Sequence, residues 1–155
     1  MSQWYPIALS SNQTTNLQSI RLLNLDLFLW RSHEEIIVGI DRCPHRGAKL
    51  SLGWLSQNCL VCPYHGLTFN KTGQCTKIPA HPDLIPSHQL KINLLPSQQR
   101  YGLIWTTLES FNLDLPIFPQ FYNEQYRNIL CGPYYYKASA YRAMENFLDV
   151  SHFPY

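Results

Sequence analysis

The chain has 155 residues, of which 45% are hydrophobic and 14% are charged. Its net charge is only +2, which argues against a nucleic-acid partner and against a highly charged, disordered chain. No apolar run approaches the roughly 18 residues that span a bilayer, and the start lacks the pattern of a signal peptide. We therefore expect a folded cytoplasmic protein without a membrane span, in which five cysteines indicate metal ligands or free thiols.

The first 110 residues are predicted to form short strands separated by turns, because eleven prolines in the chain disfavour long helices. β-branched and aromatic residues predict strands at residues 5–9, 19–24, 25–31, 35–40, 58–61, 67–70, 89–95 and 102–107. Residues 70–73 predict a hairpin turn in which Gly73 supplies a positive φ, and residues 96–101 predict a polar loop. The expected fold class is therefore mainly β.

Composition changes after about residue 110, where prolines and aromatic residues occur without a clear period. Residues 130–140, with three tyrosines at their centre, are predicted to form a strand. Residues 141–151 are the best helix candidate, because apolar residues recur at helical spacing. In this helix Asn146, Asp149 and His152 would follow one another at i, i+3 steps and form a polar face.

Two short segments share a Cys-Pro…His-…Gly frame, with the sequences CPHRG and CPYHG. Each offers one thiolate and one imidazole: Cys43 with His45 in the first, and Cys62 with His65 in the second. Four such donors from two loops predict a metal site. A structural zinc is one alternative, and unrelated core cysteines with surface histidines are another, although the matching frames argue against coincidence.

This pattern resembles the Rieske iron–sulfur family, in which Cys-x-His and Cys-x-x-His loops hold a 2Fe–2S cluster. The resemblance implies that Cys43 and Cys62 bind one iron, and that His45 and His65 bind the other. The similarity begins at residues 4–6 and continues through residues 46–51, 66–69, 73–75 and 78–79 to residues 101–105. It implies an antiparallel β-sandwich with a small inserted cluster-binding subdomain, at whose tip the two histidines are outermost.

The ligand set has a chemical reason. Two neutral imidazoles leave the oxidised cluster formally neutral, whereas four thiolates would leave it negative, so the histidines make an added electron easier to accept. Gly47 and Gly66 would let backbone amides approach the cluster, and Arg46 would either offset the added electron or simply be solvated.

Tyr64 stands where the respiratory type of the family has an additional cysteine, so the resemblance is to the lower-potential oxygenase or ferredoxin type. Tyr64 would either pack on the cluster or contribute only to the packing of the protein. Cys59 and Cys75 are expected to be structural residues and not ligands.

The last residues resemble the start of an iron-binding motif of Rieske non-haem oxygenases, Asn-x-x-Asp-x-x-His-x₄-His, which supplies two histidines to a mononuclear Fe(II). The resemblance implies that His152 is the first iron ligand and that Asn146 lies near the iron. Asp149 would link this iron to the Rieske histidine of a neighbouring subunit. The second histidine would fall at position 157, beyond Tyr155, so the site is incomplete here; a short amphipathic helix is the structural alternative.

The resemblance thus implies a Rieske 2Fe–2S domain at residues 1–110 and the start of a truncated catalytic domain at residues 111–155. The intact protein would take electrons from a reductase or ferredoxin and activate O₂ on an aromatic or macrocyclic substrate, often as a trimer. The branch is that of vanillate demethylase-like and chlorophyllide or pheophorbide a oxygenase-like proteins. A stand-alone Rieske ferredoxin is the alternative, but it should end soon after Trp105.

Overall fold

A computed structural model describes residues 3–12, 17–32, 35–109, 114–129, 131–132 and 134–151. Within these residues it contains eleven antiparallel strands and one α-helix, which confirms the mainly β fold class. The strands are β1 (Tyr5–Leu9), β2 (Gln18–Leu22), β3 (Leu25–Ser32), β4 (Glu35–Ile40), β5 (Trp54–Ser56), β6 (Cys59–Val61), β7 (Thr68–Phe69), β8 (Cys75–Lys77), β9 (Leu94–Leu95), β10 (Ser97–Arg100) and β11 (Leu103–Thr106). The helix is α1 (Ala140–Leu148).

The strands form three sheets, in the orders β1-β11-β10, β2-β3-β4-β9 and β5-β6-β7-β8. The first two sheets bury a common cluster in which Leu27 and Leu29 of β3 and Val38 of β4 pack with Ile104 of β11. Residues two apart on a strand share one face, so this contact uses one face of β3. The two sheets are therefore the layers of the predicted sandwich.

The opposite face of β3 supports the third sheet. Phe28 and Trp30, both fully buried and stacked 5.3 Å apart, belong to a second core cluster with Cys43, Cys62 and Phe69. Four consecutive buried residues in β3 thus reflect burial on both faces of the central strand. The small sheet and its two Cys/His loops are anchored to the sandwich through this second cluster.

Several predicted elements are confirmed and others need correction. The strands at residues 5–9 and 35–40 have the predicted bounds, and the predicted turn places Gly73 at a φ of 81°. The polar loop predicted at residues 96–101 is wrong, because β10 pairs along its length with β11. The connecting Tyr101 and Gly102 both have positive φ, as a two-residue hairpin turn requires. Of the strand predicted at residues 89–95, only β9 and an isolated bridge at Lys91 form.

The chain divides into two compact units, Met1–Phe118 and Pro119–Tyr155. In the described residues of the second unit the strand predicted at residues 130–140 is absent. Ser139 caps α1 by accepting a hydrogen bond from the Arg142 amide, 3.4 Å away. None of the helices that the structure describes has the length and apolar character needed to cross a membrane.

Candidate metal centre

The first Cys/His loop follows β4 and is closed by its own backbone. The amide of Cys43 donates to the carbonyl oxygen of Ala48 at 2.8 Å, and the amide of Gly47 donates to the carbonyl oxygen of Cys43 at 2.9 Å. These bonds fold five residues back on themselves, so the side chains of Cys43 and His45 project from one tight turn.

The second loop, between β6 and β7, repeats the same backbone frame. The amide of Cys62 donates to the carbonyl oxygen of Leu67 at 2.9 Å, and the amide of Gly66 donates to the carbonyl oxygen of Cys62 at 3.1 Å. The two loops therefore share one hydrogen-bonding pattern, although the histidine is the third residue of the first loop and the fourth of the second. The backbone hydrogen bonds are the same in both loops although the histidine occupies different positions. This indicates that each loop presents one thiol and one imidazole.

The glycine that closes each loop is required by its backbone conformation. Gly47 has a φ of 72° and Gly66 a φ of 68°, a region that other residues rarely adopt. A Cβ on Gly66 would lie 3.0 Å from the side chain of Pro79, and one on Gly47 would lie 3.3 Å from Nε of Arg42. The structure therefore gives both glycines a conformational role, while the predicted approach of backbone amides to a cluster stays a prediction.

The two thiols lie next to each other in the interior. Cys43 is 2% exposed and Cys62 is 1% exposed. Burial raises the pKa of Cys43 to about 11, and the adjoining Cys62 thiol acts in the same direction. The backbone amides of His45 and Arg46 point at the Cys43 sulfur and lower its pKa, so they are placed to donate hydrogen bonds to a thiolate.

The two imidazoles lie at the surface beside each other. The rings of His45 and His65 are exposed, and their centroids are 4.9 Å apart at an angle of 62°. Tyr64, itself 60% exposed, packs its ring on that of His65 with centroids 3.9 Å apart. The Tyr64 ring therefore restricts the orientation of His65, and Arg46 beside these rings is exposed.

A buried carboxylate ties the two ends of the first loop together. Asp41, at the end of β4, is 5% exposed and accepts hydrogen bonds from the amide of Ser51 at 2.7 Å and from its hydroxyl at 2.5 Å. No local sequence signal distinguishes a buried aspartate from an exposed one, so this contact could not be predicted from the sequence. Lys49, within the same loop, pairs with Asp26 at 2.9 Å, and this pairing lowers the pKa of Asp26.

The three other cysteines lie outside the two Cys/His loops. Cys59 is half-buried in β6, and Cys75 is buried in β8, where desolvation raises its pKa. Cys131 is exposed.

The predicted iron motif in the second unit is only partly described. Asn146 is exposed within α1, but the helix ends at Leu148, so the predicted helix over residues 141–151 is too long. Asp149 is extended, with a φ of −79° and a ψ of 105°, and accepts hydrogen bonds from the amide and hydroxyl of Ser151. His152 lies outside the described residues. The helical face predicted to carry all three residues therefore stops after Asn146.

Comparison with known proteins decides the family. The sequence model of the Rieske [2Fe-2S] domain matches residues 3–98. The chain belongs to this family. The matched region includes both Cys/His loops and the three sheets as far as the start of β10.

Relatives of this Rieske chain include demethylases and oxygenases. Methylxanthine N1-demethylase NdmA of Pseudomonas putida is 39% identical over 139 residues, which cover 88% of this chain and 40% of NdmA. The solved NdmA structure superposes with a TM-score of 0.88 at 35% identity, covering 98% of this chain and 48% of that one. Dicamba monooxygenase, solved with non-heme iron and dicamba, matches with a TM-score of 0.72 at 32% identity, covering 81% and 39% of the two chains. Pheophorbide a oxygenase of Oryza sativa is 41% identical over 80 residues, 49% of this chain and 15% of its own. The Rieske chain thus spans less than half the length of these relatives.

A Rieske domain binds a 2Fe–2S cluster, and the donors in this structure fit one. Among the described residues, no three His, Cys, Asp or Glu side chains converge closely enough to hold a single metal ion. A Cys₂His₂ zinc would need four donors around one point, whereas a Rieske cluster gives two protein ligands to each iron. Two adjacent buried thiols and two adjacent exposed imidazoles match the second arrangement.

Proposed function

We propose that Cys43 and Cys62 hold one iron of the 2Fe–2S cluster, that His45 and His65 hold the other, and that the cluster transfers single electrons within an oxygenase. The observation that carries this proposal is the backbone frame shared by the two loops, which presents the thiols to the interior and the imidazoles to the surface.

The cluster supplies a site that accepts and releases one electron. The chain's own residues prepare that site in two ways. Burial excludes water from the thiols, and the amides of His45 and Arg46 point at the Cys43 sulfur, where hydrogen bonds stabilise negative charge. An imidazole that binds iron through one nitrogen keeps its second nitrogen for a proton, so His45 and His65 can hold a proton where a partner has access.

The ligand assignment is tested by metal analysis of paired variants. The wild-type chain should contain two irons and two acid-labile sulfides per molecule and give the electron paramagnetic resonance signal of a reduced Rieske cluster. Cys62→Ser should lose the cluster, whereas Cys59→Ser, three residues earlier in β6, should keep it. Stoichiometric zinc without sulfide would contradict the proposal.

A second variant tests the histidines. His65→Cys should retain a cluster with a lower reduction potential, because a third thiolate adds negative charge near the irons. An unchanged potential in redox titration would remove His65 from the ligand set.

The activity of the complete protein is proposed from the names of its relatives. We propose that the complete protein is an oxygenase that receives electrons from a reductase or ferredoxin and activates O₂ at a mononuclear Fe(II), on an aromatic or macrocyclic substrate. The names of NdmA and dicamba monooxygenase support demethylation or oxygenation of such rings. In this proposal His152 is an iron ligand, Asn146 lies near the iron and Asp149 bridges to the Rieske histidine of a neighbouring subunit in a homotrimer, in the cytoplasm.

Asp149 gives a test within the present chain. Asp149→Asn should leave the absorption and magnetic spectra of the cluster unchanged, since the residue is exposed at the end of α1. Loss of the cluster in this variant would show a structural role instead of a bridging one.

A further inference from the structure

Tyr101, the first residue of the turn between β10 and β11, binds a segment that lies fifteen residues further along the chain. Its hydroxyl donates a hydrogen bond to the carbonyl oxygen of Pro116 at 2.8 Å and accepts one from the amide of Phe118 at 2.9 Å. The rings of Tyr101 and Phe118 also meet edge to face, with centroids 5.9 Å apart. One side chain therefore holds two backbone groups and one ring of this segment.

The bound segment, residues 114–118, is the last part of the first compact unit, and we call it the exit segment. Four of its five residues are exposed, and Leu115 is buried. Pro116 and Pro119 have fixed φ angles, which stiffens the chain on both sides of Phe118. A contact at Pro116 and Phe118 therefore sets the direction in which the chain leaves the first unit.

The turn that carries Tyr101 has a strained backbone. Tyr101 has a φ of 57°, which bulky residues rarely adopt, and such strain persists only where the surroundings fix it. Leu23 and Gln57 occupy the same position in two other hairpin turns, also with positive φ, but their side chains are exposed. The side chain of Tyr101 is half-buried, and the indole of Trp105 donates to the carbonyl oxygen of Arg100 at 3.0 Å directly before the turn. The strained turn thus directs the phenol to the exit segment.

We propose that Tyr101 is a positioning residue: its hydroxyl fixes the exit segment and so restricts the motion of the second unit relative to the proposed cluster. The hydrogen bonds of the hydroxyl are independent of the proposed function, whereas their use in electron transfer rests on that function. The second unit contains Asn146 and Asp149 of the proposed iron site. A fixed exit segment limits how far this site can move away from an electron donor.

Hydrogen exchange in the oxidised, cluster-loaded chain tests the contact one amide at a time. Tyr101→Phe keeps the ring and removes both hydrogen bonds of the hydroxyl, so the amide of Phe118 should exchange about 5- to 30-fold faster. The amide of Ser10 donates to the carbonyl oxygen of Gly102 at 2.9 Å and reports on the turn itself, so its exchange rate should not change. Tyr141→Phe makes the same substitution at an exposed side chain of α1 and should change neither rate.

A distance measurement tests the effect on the second unit. Pulsed dipolar electron paramagnetic resonance measures the distance between the reduced cluster and a nitroxide attached to Cys131, which is exposed. A Cys59→Ser background removes the half-buried thiol, and Cys75 is buried. Tyr101→Phe should broaden the distribution of distances about twofold, whereas Tyr141→Phe should leave its width unchanged.

The outcomes separate the positioning role from the proposed function. Faster exchange at Phe118 together with a broader distribution supports the inference. An unchanged Phe118 amide or an unchanged width overturns it, and faster exchange at Ser10 as well would show that the turn has collapsed, which also counts against a positioning role. A chain that holds no cluster refutes the proposed function alone, because a nitroxide at Ser56→Cys, an exposed position in β5, then replaces the cluster in the distance measurement.

Discussion

The contact between Asp41 and Ser51 should govern how firmly the first loop is held. Ser51→Ala removes the 2.5 Å hydrogen bond from the serine hydroxyl and keeps the 2.7 Å bond from its amide. A hydrogen bond to a charged group contributes about 1.5–3 kcal/mol, and Asp41 is 5% exposed, so little water can replace the lost donor. We expect a loss of about 2 kcal/mol, which corresponds to at most about a 30-fold faster opening of the loop.

The assay is release of the cluster in moderate urea, followed by loss of visible absorbance, because unfolding with cofactor loss is not reversible. Ser56→Ala is the matched control, since Ser56 is exposed in β5 and its substitution should change stability by less than about 0.5 kcal/mol. If Ser51→Ala releases its cluster no faster than Ser56→Ala, the two ends of the loop are not held by this contact and the reasoning fails.

Three further predictions concern the surroundings of the site. Gly53→Ala should prevent accumulation of folded protein, because its Cβ would lie 2.0 Å from a carbonyl oxygen of β6; a normal yield and circular dichroism spectrum would contradict this. Tyr64→Phe should keep the magnetic spectrum of the cluster, whereas Tyr64→Leu should change it by releasing the ring of His65, and identical spectra from both variants would refute an orienting role. Pairing with Lys49 lowers the pKa of Asp26 below its ordinary 3.8, so the stabilisation should be complete above that pH and disappear as the pH falls through the lower, folded-state value. Rates of cluster release in urea should therefore differ between the wild type and Asp26→Asn at neutral pH and converge towards acid, and equal rates at neutral pH would show that the pair does not stabilise the fold.

The strands show which parts of the fold can be predicted locally. β1 and β4 are rich in β-branched or aromatic residues, so local propensity was sufficient to set their bounds. β10 has the sequence SQQR, which has no strand propensity, and it is a strand because its backbone pairs with β11. The three tyrosines at 134–136 show the reverse case, since propensity favoured a strand and the described residues form none.

The sequence by itself determined the chemistry of the site. The Cys-Pro-…-His-…-Gly frame repeated at two positions predicts the donor atoms and the loop closure, because both depend on residues within five positions of each other. The family was indicated by the resemblance along residues 4–105.

Only the tertiary structure decided how those donors are arranged and what surrounds them. It buries both thiols against β3 and places His45 next to His65. It also brings Lys91 beside the first Cys/His loop, which lies about fifty residues earlier in the sequence. Burial, ring contacts and unpaired charge arise between residues distant in sequence, so no local pattern encodes them.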